Sequence, residues 1–222
     1  MPTVTLSALQ SRVYARLDTS PLGLYPVSQV TLVLNEGLRR LNMLIGWKMD
    51  TVAVPGFTQA NTLVYTVPDT LTIPTMVWCE KRALRKISLA RISQQFKNWI
   101  TDTNLTAGPI SRWVPIGLTK FAIHPQDSAD GRLLEVTGIA KVTPLVGAND
   151  AVDIEDEWAD ALVDYALSRL LVKEGGKRFA DMSGALYPQM VNKLKPALLW
   201  QSMKFPAYFV SKETEPAQGR GT

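Results

Sequence analysis

The hydrophobic period of this sequence changes twice, and that change constrains the fold more than any single motif. Up to residue 49 apolar residues recur every three or four positions; from residue 50 to about residue 143 they alternate; from residue 153 the helical period returns. A period of 3.6 lays an apolar stripe along a helix, and a period of two lays one along a sheet face. A chain that is helical at both ends and strand-rich between them closes its core by bringing the two helical parts together. At 222 residues it is long enough to do so without covalent staples.

Ser7 and Gln10 form a candidate capping box, so a first helix is expected from Ser7, with Leu6, Leu9, Val13 and Leu17 at helical spacing and a break over 18–23. A second helix is expected over 28–46, with its stripe at Val30, Leu34, Leu38, Leu41 and Ile45. Gly37 inside it costs about 1 kcal/mol relative to alanine, which points to close packing there. Seven short strands are expected at 51–55, 63–68, 76–81, 84–89, 111–116, 119–124 and 132–142. A short helix opens at Ser88 or Ser93 and ends near Trp99, and the run PQDSADG is a strong turn signal.

The helix expected over 155–174 carries two adjacent apolar rows: Trp158, Leu162, Ala166 and Leu170, then Ala159, Val163, Leu167 and Leu171. Two rows make a wide buried face, so this helix is expected to be central. Acids at its start suit the macrodipole, and Gly175 and Gly176 supply the stop. A last helix from residue 177 presents Phe179, Met182, Leu186, Met190 and Leu194, with a kink expected at Pro188. After Pro196 come Trp200, Met203, Phe205, Tyr208 and Phe209, then a polar run with no core-forming residue beyond Val210. The expected class is therefore α+β. A helical bundle is built from residues 1–49 and 150–203, a small antiparallel β-sandwich or barrel is inserted over 50–149, and an extended C-terminal tail occupies 204–222.

A single histidine and a single cysteine are too few for an ordinary zinc site, and they leave His124 as the only imidazole for a catalytic triad. His124 is expected to be a strand-edge residue and Cys79 a buried, inert thiol. The one dense carboxylate cluster, Asp153, Glu155, Asp156 and Glu157, has the composition of a Mg²⁺ or Ca²⁺ site or of a hydrolase acid–base pair. Its place at a helix start favours solvated capping charges. No phosphate-binding loop and no G-x-S-x-G is present, so no cofactor is expected and the chain does not read as an enzyme. It has no basic-then-apolar leader at Met1 and no apolar run near 18 residues, so synthesis in a cytoplasm and no membrane insertion are expected.

The net charge of +4 is small, but its distribution is uneven. Residues 81–97 hold Lys81, Arg82, Arg85, Lys86, Arg91 and Lys97 with no acid, whereas residues 150–164 hold seven acids and no base. These are either two solvated faces or the two sides of a head-to-tail contact between copies. The basic stretch could also touch nucleic-acid phosphates. The tail aromatics either close the helical core or, as we favour, anchor the chain in another protein's groove.

Several segments together carry a family resemblance. They are EGLRRLNMLIGW, TVAVPGFTQANTLVYTVPD, VWCEKRALRKISLARI, SRWVPIGLTKFAIHPQDSADGRLLEVTGIAKVTPLV and DIEDEWADALVDYALSRLLVKEGG. Over about residues 7–195 this succession resembles the head–tail adaptor (connector) proteins of tailed bacteriophages, particularly short-tailed ones. The resemblance implies a virion protein at the head–tail junction. It implies a ring of twelve copies between the portal and the tail tube or nozzle, with DNA passing through the lumen and touched only non-specifically. It also implies that the C-terminal segment reaches along the portal, which gives Phe205, Tyr208, Phe209 and Lys212 a portal-binding role. Lys81, Arg82, Arg85, Lys86 and Arg91 on one side, and Asp153, Glu155 and Glu157 on the other, would then be inter-subunit or lumen charges. Sequence-independent nucleic-acid binding and cell-wall hydrolysis by the 153–157 carboxylates remain the alternatives.

Overall fold

The computed structural model describes residues 4–18, 24–56, 58–59, 62–96, 99, 108–127, 131–152, 154–174 and 177–204. The protein is mixed α+β, with five helices and mainly antiparallel sheets among the described residues. It divides into two compact units, one comprising Met1–Gly46 with Thr143–Thr222, the other Trp47–Val142.

In the first unit, β1 (Val4–Thr5) leads directly into α1 (Leu6–Leu17), and α2 (Val27–Ile45) follows. Thr5, not Ser7, caps α1: its hydroxyl accepts from the amide of Ala8. The expected capping box therefore starts two residues too late, because Val4 and Thr5 are held extended against β10 (Ala151–Val152) in a two-stranded pairing. α2 stops at Gly46, which adopts the left-handed conformation that glycine tolerates and donates its amide to Asn42.

α4 (Asp156–Glu174) is the centre of this unit. It packs against α1, α2 and α5 (Lys177–Lys204), and every residue from Ala161 to Ser168 is buried. Gly37 of α2 faces it closely: a Cβ there would stand 2.5 Å from Leu162 Cδ1 and 2.8 Å from Tyr165 Cδ1. α5 buries Met190 and Leu194, leaves Met182 exposed, and continues through both Pro188 and Pro196. The change of composition after Pro196 does not end the helix at that proline.

The second unit holds two four-stranded sheets. In the first, the order is β2 (Met49–Ala53), β9 (Leu134–Ala140), β4 (Leu71–Cys79) and β5 (Arg82–Ala83). In the second, it is β3 (Val64–Thr66), β8 (Lys120–His124), β7 (Arg112–Ile116) and β6 (Arg85–Lys86). All pairings are antiparallel except β6 with β7. Side chains from both sheets share one core, including Leu71, Val77, Leu134 and Val136 from the first and Tyr65, Trp113, Phe121 and Ile123 from the second. On the other face of the second sheet, Val114 and Ala122 lie under α3 (Leu89–Gln95) and Trp99, with Ile87 and Ile92. Ser88 caps α3 by accepting from the Arg91 amide.

Candidate functional site

The basic stretch is spread over several surfaces. Cys79 pairs with Arg82 across a two-residue turn in which Glu80 and Lys81 both have positive φ, at 47° and 65°. Hairpins favour this mirror-image turn because its twist matches that of the strands. It leaves Lys81 and Arg82 exposed at the tip. On β6, Arg85 is exposed while Lys86 points to the opposite face, its Nζ 5.2 Å from the centre of the Trp113 ring. Burial pushes the Lys86 ammonium below its ordinary pKa. Arg91 is exposed on α3. Lys97 lies outside the described residues.

The acidic stretch is largely engaged within the chain. Asp150 accepts from the amides of Val146 and Gly147, and these bonds lower its pKa. The Arg12 guanidinium donates to Asp156 at 2.9 Å and to Asp160 at 3.1 Å. Asp164 is fully buried between Arg16 at 2.5 Å and Lys193 at 2.5 Å. Glu155 is exposed. Asp153 lies outside the described residues, as does the side chain of Glu157. Phe205, Tyr208, Phe209 and Lys212 also lie outside them.

His124 is the last residue of β8, at the strand end expected of it, and β8 is an interior strand of its sheet. It is 5% exposed, and its ring centre lies 4.5 Å from that of Phe96. Burial first, and then Arg112, push its pKa below the ordinary value. Cys79 is buried, and burial raises its thiol pKa, so it is a poor nucleophile. Among the described residues no three His, Cys, Asp or Glu side chains are placed to hold a metal ion. No described helix is long and apolar enough to cross a membrane.

Sequence reasoning missed three arrangements. Arg112 lies in register with Arg85 on one side and His124 on the other. Arg16 and Lys193 flank Asp164, and nothing in the local sequence of either predicts a buried partner. Tyr165 donates to Glu36 at 2.8 Å, and burial, then that bond, push its phenol up to about 12. Tyr165 falls beside the apolar rows of α4, which was the available signal.

Residues 4–202, nearly the whole chain, match the family model of the SU10 adaptor protein. No curated protein matches the chain.

Proposed function

We propose that this chain, which belongs to the SU10 adaptor protein family, is the structural virion protein joining a phage portal to the tail tube or nozzle. It works as a ring of twelve copies with DNA passing through the lumen. The observation that carries this reading is the extent of the family match, which spans both compact units. In the same reading the helices form a bundle, and the two sheets form a small sandwich inserted into it; their shared core supports the second point.

Identical subunits close a ring through two different faces of each copy. Lys81, Arg82 and Arg91 supply one side of the contact and Glu155, with Asp153 and Glu157, the other, while Arg85 is a lumen charge. Asp156, Asp160 and Asp164 are already matched by Arg12, Arg16 and Lys193, so the contact rests on few carboxylates. Residues 204–222 bind the portal through Phe205, Tyr208, Phe209 and Lys212. Ordering such a tail on docking makes ring formation depend on the partner. A hydrolase built on the 153–157 carboxylates has less support, because Asp156 is held by Arg12.

The test is to mix the purified chain with the portal of its virus and image the product by electron microscopy. A ring on the narrow end of the portal is expected, and a chain lacking residues 204–222 should fold but fail to attach. Full attachment by the truncated chain would remove the tail from the proposal. No ring with the intact chain would remove the proposal itself.

A further inference from the structure

The registers of the second sheet align Arg85, Arg112 and His124 across three neighbouring strands. Paired residues share a sheet face because side chains alternate in step along the strands. The same registers send Lys86, Trp113 and Ile123 to the opposite face, where Trp113 and Ile123 join the core. With strands about 4.8 Å apart, the row of three spans about 10 Å.

With the described residues alone this row is unfavourable. Like charges directly beside one another on adjacent strands repel. Among the described residues neither Arg85 nor Arg112 has a carboxylate within ion-pair range. At the buried end of the row, His124 Nδ1 is buried with no hydrogen-bond partner among the described residues. Charge distribution reinforces the pattern. The unit over Trp47–Val142 has eleven Lys and Arg against seven Asp and Glu, whereas the other unit has thirteen of each. The whole net charge of +4 therefore resides in the unit that carries the row.

We infer that Arg85 and Arg112 form a phosphate-binding site that takes the backbone of duplex DNA without reading its sequence. Two guanidinium forks match phosphate oxygens bidentately, and a bound phosphate removes the repulsion between them. Backbone contacts of this kind position DNA and carry no base information. Arg85 is exposed and Arg112 half-buried, so a phosphate reaches the row from the Arg85 end. The competing occupant is a carboxylate of a second copy, and the engagement of Asp156, Asp160 and Asp164 within their own chain argues against it. The inference deepens the proposed passage of DNA and rests on that reading for its setting, yet it can be measured on the free chain.

The experiment measures binding of a short mixed-sequence duplex by fluorescence anisotropy over a range of salt. Arg85→Gln with Arg112→Gln should weaken binding at low salt by about tenfold or more. It should also make the log–log salt slope shallower by about 2, one for each phosphate that the variant no longer neutralises. Lys120→Gln with Lys141→Gln removes the same charge from exposed positions of the same unit and should retain most of the affinity. The only histidine supplies a second readout by NMR. Bound DNA offsets the effect of Arg112 and should raise the His124 pKa, and the arginine double variant should lose that response.

Equal losses in the two double variants would mean diffuse attraction and overturn the site. Unchanged DNA affinity with lost self-association in the arginine variant would give the row to a second copy, which also overturns it. Inorganic phosphate, at matched ionic strength, is the remaining probe. A response of His124 to phosphate but not to DNA would assign the row to a free anion and overturn the nucleic-acid inference. Portal attachment, imaged on the same variants, succeeds or fails independently of these results.

Discussion

Lys193 Nζ on α5 lies 2.5 Å from Asp164 Oδ2 on α4, and the carboxylate is wholly buried while the lysine side chain is 39% exposed. Arg16 of α1 takes the other oxygen and is similarly exposed, at 41%. One buried anion thus joins three helices through two cations that keep contact with water.

The exposure difference predicts an asymmetry. Arg16→Met or Lys193→Met alone leaves Asp164 one cation and is expected to cost about 1 kcal/mol, since an exposed partner is screened. Both together strand a buried carboxylate, and the double variant is expected to lose about 3–5 kcal/mol, more than the sum of the two singles. Urea denaturation of the four proteins in the cycle measures the coupling. Additive losses would mean that the two cations act independently and that Asp164 does not couple them.

Gly37→Ala improves helix propensity by about 1 kcal/mol but drives a methyl into Leu162 and Tyr165. The neighbours sit on the central helix and are buried, so a net destabilisation of about 1–2 kcal/mol is expected. Leu162→Ala should cost less in the Gly37→Ala background than in the wild type. Thermal melts of the cycle decide this, and an alanine that stabilises would show that α2 can move aside.

Asn35 holds the returning chain with both ends of its amide. Its Nδ2 donates to the Leu145 carbonyl and its Oδ1 accepts from the Leu145 amide, each at 2.8 Å. Asn35→Ala leaves both backbone groups beside a buried Leu145 without those bonds, and a loss of about 1–3 kcal/mol is expected. Faster amide hydrogen exchange at Leu145 than at Leu134 would locate the loss. Unchanged exchange would contradict the role given to Asn35.

His124 sets a pH dependence. Its folded pKa lies below the ordinary 6.5, so below that value the unfolded chain takes a proton that the folded chain refuses. Stability should therefore fall as the pH drops through about 6.5, and the loss should level off below the folded pKa. Between pH 7 and 5 the melting temperature of the wild type is expected to fall more than that of His124→Gln. Parallel curves would assign the dependence to other groups.

What was legible in the sequence follows from the length of each pattern. α2 and α4 run long enough for their apolar rows to stand out, and Gly37 inside such a row already implied a close neighbour. β4 was read from Met76 although it begins at Leu71. Its register slips between Leu71 and Ile73 and again between Pro74 and Met76, which breaks the period of two. β1 and β10 are two residues each, too short to show any period.

The candidate site was less legible. The acids over 150–164 looked like one patch, yet the fold sends Asp164 inward and Asp156 and Asp160 to Arg12, a pairing set by residues about 150 positions apart in sequence. Arg112 carried no signal because its meaning lies in strand register, which joins it to Arg85 and His124. Periodicity tells which face a residue occupies; it does not tell which residue stands beside it.

The pairing of Val4–Thr5 with Ala151–Val152 has a consequence for biosynthesis. The unit over Trp47–Val142 is continuous in sequence and is complete when residue 142 leaves the ribosome. The helical unit is not: α1 and α2 emerge first, but their strand partner and α4 follow more than a hundred residues later. At about 5–20 residues per second, the apolar faces of α1 and α2 remain uncovered for on the order of ten seconds. The last part of the chain to fold is thus among the first to be made.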